Sequence, residues 1–256
     1  NVTPDSFSDG GSYDALGPAV ERALKMQSEG AAIIDIGGES TRPGAPAVDL
    51  QQELDRVLPV IRALAGELDI PLSIDTSKPR VMQAAIAAGA GMINDVNGLR
   101  APGAIEAAKK ANVPVCVMHM QGQPRTMQQA PVYEDVVSEV RQYLSDRIAA
   151  CEAAGIPRSR ILVDPGFGFG KTLEHNLALL AGLNSFQELG VPLLVGLSRK
   201  STIGQITGKP VDDRLAGSLA AAVMAVERGA SIVRVHDVAA TVDALEFTLA
   251  VIGEKG

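Results

Sequence analysis

The sequence has little cysteine and no long hydrophobic run. Its two cysteines, Cys116 in an apolar run and Cys151 in a helical one, do not lie at metal-ligand spacings. We therefore expect two reduced core cysteines in a cytosolic protein. The longest apolar run, Leu215 to Val226, is too short to span a bilayer and contains Gly217. With no visible signal peptide, we predict a cytoplasmic protein without membrane association.

An excess of basic residues is also absent. Lys and Arg number 23 against 30 Asp and Glu, which gives a net charge of −7. Binding of nucleic acid requires a clustered basic face, so we expect no nucleic-acid partner. An anionic ligand would have to be held by a few local groups.

The composition is otherwise that of a globular protein with a full core. The chain has 256 residues, 46% of them hydrophobic, and no Ser-, Gly- or Pro-rich linker divides it. Single α/β barrels commonly have about 250 residues. We predict one domain over residues 1–256.

Short β-type runs alternate with longer amphipathic stretches along the whole sequence. This alternation predicts parallel strands with right-handed crossovers, either in a doubly wound sheet or in a closed barrel. Nearly every predicted strand ends in a polar residue; a barrel gathers all such ends at one face, whereas a doubly wound sheet has one switch point. We predict the α/β class and a (β/α)8 TIM barrel. The predicted strands are 33–36, 72–75, 92–95, 115–119, 161–164, 193–196 and 232–235.

These seven strands are one fewer than the barrel requires. We expect Asn1 to be the tail of a first strand that lies largely upstream of this sequence. The helix around Ala19–Glu29 would be the partner of that strand, and Val2–Gly11 would form a long loop at the catalytic face.

A glycine-rich segment, Asp164–Thr172, follows the fifth predicted strand. It is not a phosphate loop, because Pro165 stands where that motif requires glycine. Its glycines are equally consistent with a simple turn. Asp164 is different, because a carboxylate at the end of an apolar strand is costly to bury without donors. A ligand with adjacent ring N–H and amino groups would provide them.

Two further polar residues, Asp75 and Asn94, end neighbouring predicted strands. Each could belong to a solvated loop. Together with Asp164 they form a set of acceptors and donors suited to a flat polar heterocycle.

Positive charge is concentrated at the ends of the last two predicted strands. Lys200 precedes a predicted helix, a geometry that favours an anion, although the hydroxyl residues there could be helix caps, the role we expect for Thr202. Alternation along a strand points Arg234 and His236 to the same side, where the last strands of a barrel often hold phosphate. We interpret His119 as a core histidine at a strand end.

Five motifs resemble those of the dihydropteroate synthase family, in the same order and at similar spacing. The resemblance covers essentially the whole chain, and five co-ordered motifs make it specific. The motifs are Asn1–Gly11, Gly37–Gly44, Asp164–Lys171, Ser198–Lys200 and Arg234–Asp237.

This resemblance implies a role for each matched residue. Asp75, Asn94, Asp164 and Lys200 would hold the pterin, with Thr41 near its reactive arm, and Asn1 would bind Mg²⁺. Arg234 and His236 would hold the diphosphate, while Phe7, Arg42, Pro43 and Ser201 would form the 4-aminobenzoate pocket. Asp9 would join the site when the first loop closes. The catalytic set would be Asp9, Lys200, Arg234 and His236.

The implied reaction joins 6-hydroxymethyl-7,8-dihydropterin diphosphate to 4-aminobenzoate, giving 7,8-dihydropteroate and diphosphate in folate synthesis. The protein would then be a transferase that forms a C–N bond, and the family implies a homodimer. Two alternatives stay open: a related pterin-dependent methyltransferase, and a non-catalytic pterin-binding module. A non-catalytic module would not need Asn1, Arg234 and His236, because their implied role is to assist departure of the diphosphate.

Overall fold

The computed structural model describes residues 1–2, 16–41, 44–122, 126–128 and 130–253. The chain forms two compact units. The first consists of Asn1–Met118 with Arg147–Ile161, and the second of His119–Asp146 with Leu162–Gly256. The single domain predicted over residues 1–256 stays a prediction.

The first unit alternates helices with short strands. Its strands pair in parallel in the order β1, β2, β3, β4. The predicted strand positions are confirmed to within a residue. In chain order the elements are α1 (Leu16–Ser28), β1 (Ile34–Gly37), α2 (Leu50–Leu64), β2 (Leu72–Asp75), α3 (Pro79–Ala87), β3 (Met92–Asp95), α4 (Ala104–Ala111) and β4 (Val115–Met118).

Helix α2 illustrates why these segments fold as they do. Asp49 caps its N-terminus, because its side chain accepts a hydrogen bond from the Gln52 N–H at 2.8 Å. Val57 and Ile61, four residues apart and fully buried, form the apolar face. The same face also buries Glu53, whose carboxylate forms an ion pair with Lys78.

The register of the first strands places polar residues side by side at their carboxyl ends. Gly37 of β1 pairs with Asp75 of β2, and Asp75 pairs with Asn94 of β3. The N–H of Val2 donates to the Gly37 carbonyl at 2.9 Å, which sets Asn1 beside the same strand end.

The second unit also consists of parallel strands and helices. Val163 forms a parallel bridge with Leu193, and Leu194–Val195 pairs in parallel with Ile232–Val233. These last two strands are shorter than predicted. The elements are α6 (Leu173–Ala181), β6 (Leu194–Val195), α7 (Ser201–Thr207), α8 (Leu215–Glu227), β7 (Ile232–Val233) and α9 (Val238–Gly253); α5 (Val136–Ala153) and β5 (Ile161–Asp164) contribute residues to both units.

The helices in the described part of the chain are either too short or too polar to cross a lipid bilayer.

Candidate active site

Asp75 and Asn94 lie next to each other in the first unit, as the sequence predicts. Both are buried although they are polar. The Asn94 amide donates to Oδ2 of Asp35 at 3.1 Å. Sequence reasoning missed Asp35, although a carboxylate inside an otherwise apolar strand was a visible signal. The three side chains therefore form one polar cluster.

The loop that follows β1 is anchored by a partly buried ionic cluster of Glu39, Lys78 and Glu53. Glu39 Oε1 accepts from the Val48 N–H at 3.1 Å and closes the loop, and its Oε2 lies 2.5 Å from Lys78 Nζ. Lys78 Nζ also lies 2.5 Å from Oε2 of Glu53, whose side chain is 0% exposed. Thr76 donates to the other Glu53 oxygen at 2.5 Å.

This cluster fixes the ends of a segment that carries predicted site residues. Thr41, half-buried, is the only one of them in this loop within the described residues. Burial lowers the pKa of Lys78, but hydrogen bonds to Glu39 and Glu53 outweigh it and raise the pKa above its ordinary value. Lys78 is therefore a charged crosslink between the loop and α2.

Asp164 ends β5 and is buried. One carboxylate oxygen accepts the Gly166 N–H at 2.7 Å. Burial raises its pKa, and the Gly166 N–H and the charges of Lys200, Lys171 and Arg234 oppose that rise. The carboxyl is thus poorly solvated, and donors from a ligand would stabilise its charged form.

Lys171, at the end of the glycine-rich segment, is a residue that sequence reasoning missed. It is 3% exposed. Its Nζ contacts the carbonyl oxygens of Gly166 at 2.9 Å and Phe169 at 3.0 Å, and Nδ1 of His119 at 2.9 Å. Three acceptors match the three protons of an ammonium group. The signal was present in the motif Asp164–Lys171, which ends in a lysine directly after the glycine-rich turn.

Lys200 lies against the same segment. Its Nζ donates to the Phe167 carbonyl oxygen and lies 4.5 Å from the centre of the Phe169 ring. Gly168, at a φ of +79°, lies under it: a Cβ there would come within 3.2 Å of Lys200 Cδ. The glycine therefore provides both the turn and the space that the lysine occupies.

Arg234 and His236 follow β7. The Arg234 N–H donates to the Val195 carbonyl at 2.8 Å. His236 is anchored by Ser198, whose hydroxyl accepts its backbone N–H at 3.2 Å and lies 3.0 Å from its Nδ1. A hydroxyl that accepts one hydrogen bond has its own proton to donate, which favours a ring protonated on Nε2. Partial burial, then Arg199 and Arg234, lower the pKa of His236, and Asp237 opposes them.

Helix α7 begins at Ser201, which is exposed. Lys200 holds the N-cap position without a side-chain cap, so the expectation that Thr202 caps this helix is wrong. His119 is a buried strand-end histidine, as predicted, and it also packs edge-on against Tyr143.

The remaining predicted residues fall into two groups. Asn1 is exposed, beside the end of β1. Phe7, Asp9, Arg42 and Pro43 lie outside the described residues.

Known proteins resemble this chain in both sequence and structure. The family model "pterin binding enzyme" matches residues 1–236. The dihydropteroate synthase of Escherichia coli K12 is 53% identical over 255 residues, covering 100% of this chain and 90% of the relative.

Two solved structures are similar over nearly the whole chain. The Yersinia pestis dihydropteroate synthase in a sulfonamide drug complex superimposes with a TM-score of 0.94 at 52% identity, covering 99% of this chain and 92% of that one. The Xanthomonas albilineans dihydropteroate synthase in complex with 7,8-dihydropteroate gives 0.89 at 53% identity, covering 98% and 90%. This similarity confirms the predicted (β/α)8 TIM-barrel class.

Proposed function

Since the chain belongs to the pterin-binding enzyme family, we propose that it catalyses the dihydropteroate synthase reaction. In this reaction 6-hydroxymethyl-7,8-dihydropterin diphosphate and 4-aminobenzoate give 7,8-dihydropteroate and diphosphate, with formation of a C–N bond. The predicted resemblance to dihydropteroate synthase is confirmed by 53% identity over 255 residues.

The observation that carries the proposal is the surroundings of Asp164. A buried carboxyl with a raised pKa, a glycine segment folded onto it and Lys200 against that segment make a polar recognition site. A pterin ring presents adjacent N–H and amino donors, which would satisfy a carboxylate that burial alone destabilises. We assign pterin recognition to Asp164 and Lys200.

In the first unit we assign pterin contacts to Asp75 and Asn94, and a contact near the reactive arm to Thr41. Support for the first two comes from their adjacent burial at the ends of β2 and β3, with Asn94 oriented by Asp35. A buried acceptor beside a buried amide suits a heterocycle that has both donors and acceptors.

Departure of the diphosphate is the difficult step, because negative charge grows on its oxygens. We assign Arg234 and His236 to stabilise that charge, with Lys200 contributing a third positive or donating group. When neutral His236 accepts from Ser198 at Nδ1, its ring proton is on Nε2, and we assign this N–H to the diphosphate oxygens. The aromatic amine of 4-aminobenzoate is neutral at neutral pH, so it needs no strong base before it attacks.

Asn1 is the residue we assign to Mg²⁺. Among the residues that the structure describes, no three His, Cys, Asp or Glu side chains could together hold a metal. A single amide oxygen still fits, because Mg²⁺ in such sites keeps waters and takes most other ligands from substrate phosphates. When bound, Mg²⁺ would neutralise charge on the diphosphate and orient it as a leaving group.

The 4-aminobenzoate site is assigned to Ser201 with Phe7, Arg42 and Pro43, and Asp9 is assigned to favour the pterin cation. The exposed position of Ser201 next to Lys200 supports a role in binding the carboxylate. The other four assignments rest on the resemblance of their motifs.

We also propose a homodimer and a cytoplasmic location. Large apolar side chains are exposed on α8 and α9, including Met224, Leu249 and Phe247, the last 75% exposed. A second copy of this surface would cover them. Phe247→Asp should therefore lower the molar mass measured by light scattering to that of a monomer, whereas Val132→Asp, at a site 72% exposed, should not. The cytoplasmic location is supported by the two cysteines, which are buried and form no disulfide, as in reduced proteins.

Mass spectrometry of the products tests the activity. With the pterin diphosphate, 4-aminobenzoate and Mg²⁺, the protein should produce 7,8-dihydropteroate and diphosphate in equal amounts. A methylated acceptor formed from a methyl-pterin would indicate the methyltransferase instead. Pterin binding without any product would indicate a binding module.

A further inference from the structure

Arg199 and Asp237 form a two-pronged ion pair. Arg199 Nη2 lies 2.6 Å from Asp237 Oδ1, and Nε lies 3.0 Å from Oδ2. Both side chains are partly buried. Arg199 has a second carboxylate neighbour, Asp212, at the longer distance of 3.4 Å, and Asp212 is 86% exposed. The planar fork therefore selects Asp237.

The backbone of Arg199 is held in an unusual conformation. Its φ is +57°, in the left-handed region that residues with a side chain rarely adopt. Its N–H donates to the Ser218 hydroxyl at 2.9 Å, and its carbonyl accepts from Arg214 Nη1 at 2.9 Å. Contacts from α8 and the residue before it thus maintain the turn that presents Lys200.

The ion pair links two segments that carry assigned site residues. Arg199 precedes Lys200, and Asp237 follows His236. Next to the ion pair, the Ser198 hydroxyl contacts both the N–H and Nδ1 of His236. Two adjacent crosslinks therefore set the segment 198–200 against the segment 234–237.

We propose that Arg199 and Asp237 are positioning residues, which hold Lys200 and His236 in the mutual arrangement that the diphosphate requires. This proposal rests on the proposed function for its kinetic consequences. In this role neither residue would contact the reacting atoms. Their role is to present the cation and the imidazole together, since a small misplacement of such groups costs about a hundredfold in rate.

The pair also sets the charge around His236. Arg199 and Arg234 lower the pKa of the imidazole and Asp237 raises it, so the two members of the pair act in opposite directions. Arg199→Met should raise the pKa of His236, and Asp237→Asn should lower it. Arg199→Met/Asp237→Asn should bring it back towards the wild-type value.

NMR titration of the substrate-free protein measures this directly. The chain has three histidines, and loss of one resonance in His236→Gln assigns the signal. Asp212→Asn, which removes the exposed neighbour, is the matched control and should leave the titration unchanged. Identical His236 titrations in the wild type, Arg199→Met and Asp237→Asn would overturn the proposal, whatever reaction the protein catalyses.

Kinetics test the positioning role. Each single variant should lower kcat/KM for the pterin diphosphate by about ten- to a hundredfold. The kcat/KM of the double variant should fall no further than that of the less active single variant. Arg199→Lys should keep the His236 pKa near its wild-type value yet still lower kcat/KM, because a lysine keeps the charge without the fork. Losses that multiply in the double variant would contradict the proposal.

Discussion

Lys171 Nζ and His119 Nδ1 lie 2.9 Å apart, both buried, at the base of the glycine-rich segment. The lysine also binds two carbonyl oxygens of that segment, so it holds the turn whose Phe167 and Phe169 contact Lys200. A charged lysine donates to all three acceptors, and in this arrangement Nδ1 of His119 accepts and carries no proton.

Lys171 gives the protein a stability that depends on pH. Burial lowers its pKa from 10.5 to about 7, opposed by Asp164 and assisted by Lys200. Between these two values the unfolded chain binds more protons than the folded protein, so this group makes the free energy of unfolding rise with pH. The rise from about pH 7 to about pH 9 should be roughly 2 kcal/mol.

Urea denaturation of the wild type and Lys171→Met at both pH values measures this contribution. The variant should lack the rise, whereas Lys110→Met, on the exposed side of α4, should keep it. An equal rise in the wild type and Lys171→Met would contradict a titrating Lys171.

Asp164 should make pterin affinity depend on pH. The bound form needs the carboxylate, and burial raises its pKa, so affinity should fall as the pH is lowered through that raised value. Fluorescence titration with a pterin should show this acid limb in the wild type. Asp164→Asn should lack it and bind on the order of a hundredfold more weakly, because two hydrogen bonds to a charged group are each worth about 1.5–3 kcal/mol. Asp146→Asn, an exposed control, should behave as the wild type; an acid limb that persists in Asp164→Asn would assign it to another group.

Lys78 should be a major contributor to stability. Lys78→Met leaves the buried Glu53 carboxylate without its charged partner, which costs about 3–5 kcal/mol. Lys25→Met removes the exposed pair with Glu29 and should cost at most about 1 kcal/mol. Thermal or urea unfolding compares the two variants, and equal losses would mean that the cluster around Lys78 contributes no more than a surface ion pair.

The sequence predicted the strands well because each is a short apolar run that ends in a polar residue. β2, β3 and β5 begin and end where expected, and Asp75, Asn94 and Asp164 are buried at their ends. The last two strands were predicted too long, because few of their residues pair in the structure.

The crosslinks could not be predicted in the same way. Lys171 with His119, Lys78 with Glu53, and Arg199 with Asp237 each join residues between 25 and 52 positions apart. Which lysine meets which carboxylate depends on the packing of separate elements, and no local pattern encodes it. The family motifs marked Lys171 and Arg199 only as members of a run.

Sulfonamides should compete with 4-aminobenzoate. The Yersinia pestis relative was solved in a sulfonamide drug complex, and this chain has Phe7 and Pro43, the residues that we assign to the 4-aminobenzoate pocket. Steady-state assays should show an increased KM for 4-aminobenzoate with unchanged kcat. Turnover that a large excess of sulfonamide does not affect would refute the assignment of that pocket.

We expect the C–O bond of the pterin diphosphate to break before, or as, the amine attacks. The assigned residues include no nucleophile paired with a base, whereas Arg234 and His236 suit a leaving anion. Positional isotope exchange within the diphosphate, followed by NMR without 4-aminobenzoate, should be detectable. Bond cleavage that depends strictly on the amine would contradict a dissociative displacement, in which the diphosphate departs ahead of bond formation.

The proposed reaction transfers a pterin from diphosphate to an aromatic amine. The most direct measurement is diphosphate release from the pterin diphosphate in a coupled assay, with and without 4-aminobenzoate and Mg²⁺. We predict sustained release when all three are present, little net release when either 4-aminobenzoate or Mg²⁺ is omitted, and a strong loss in Arg234→Met. Absence of diphosphate release from the folded wild-type protein under complete conditions would contradict the proposed function.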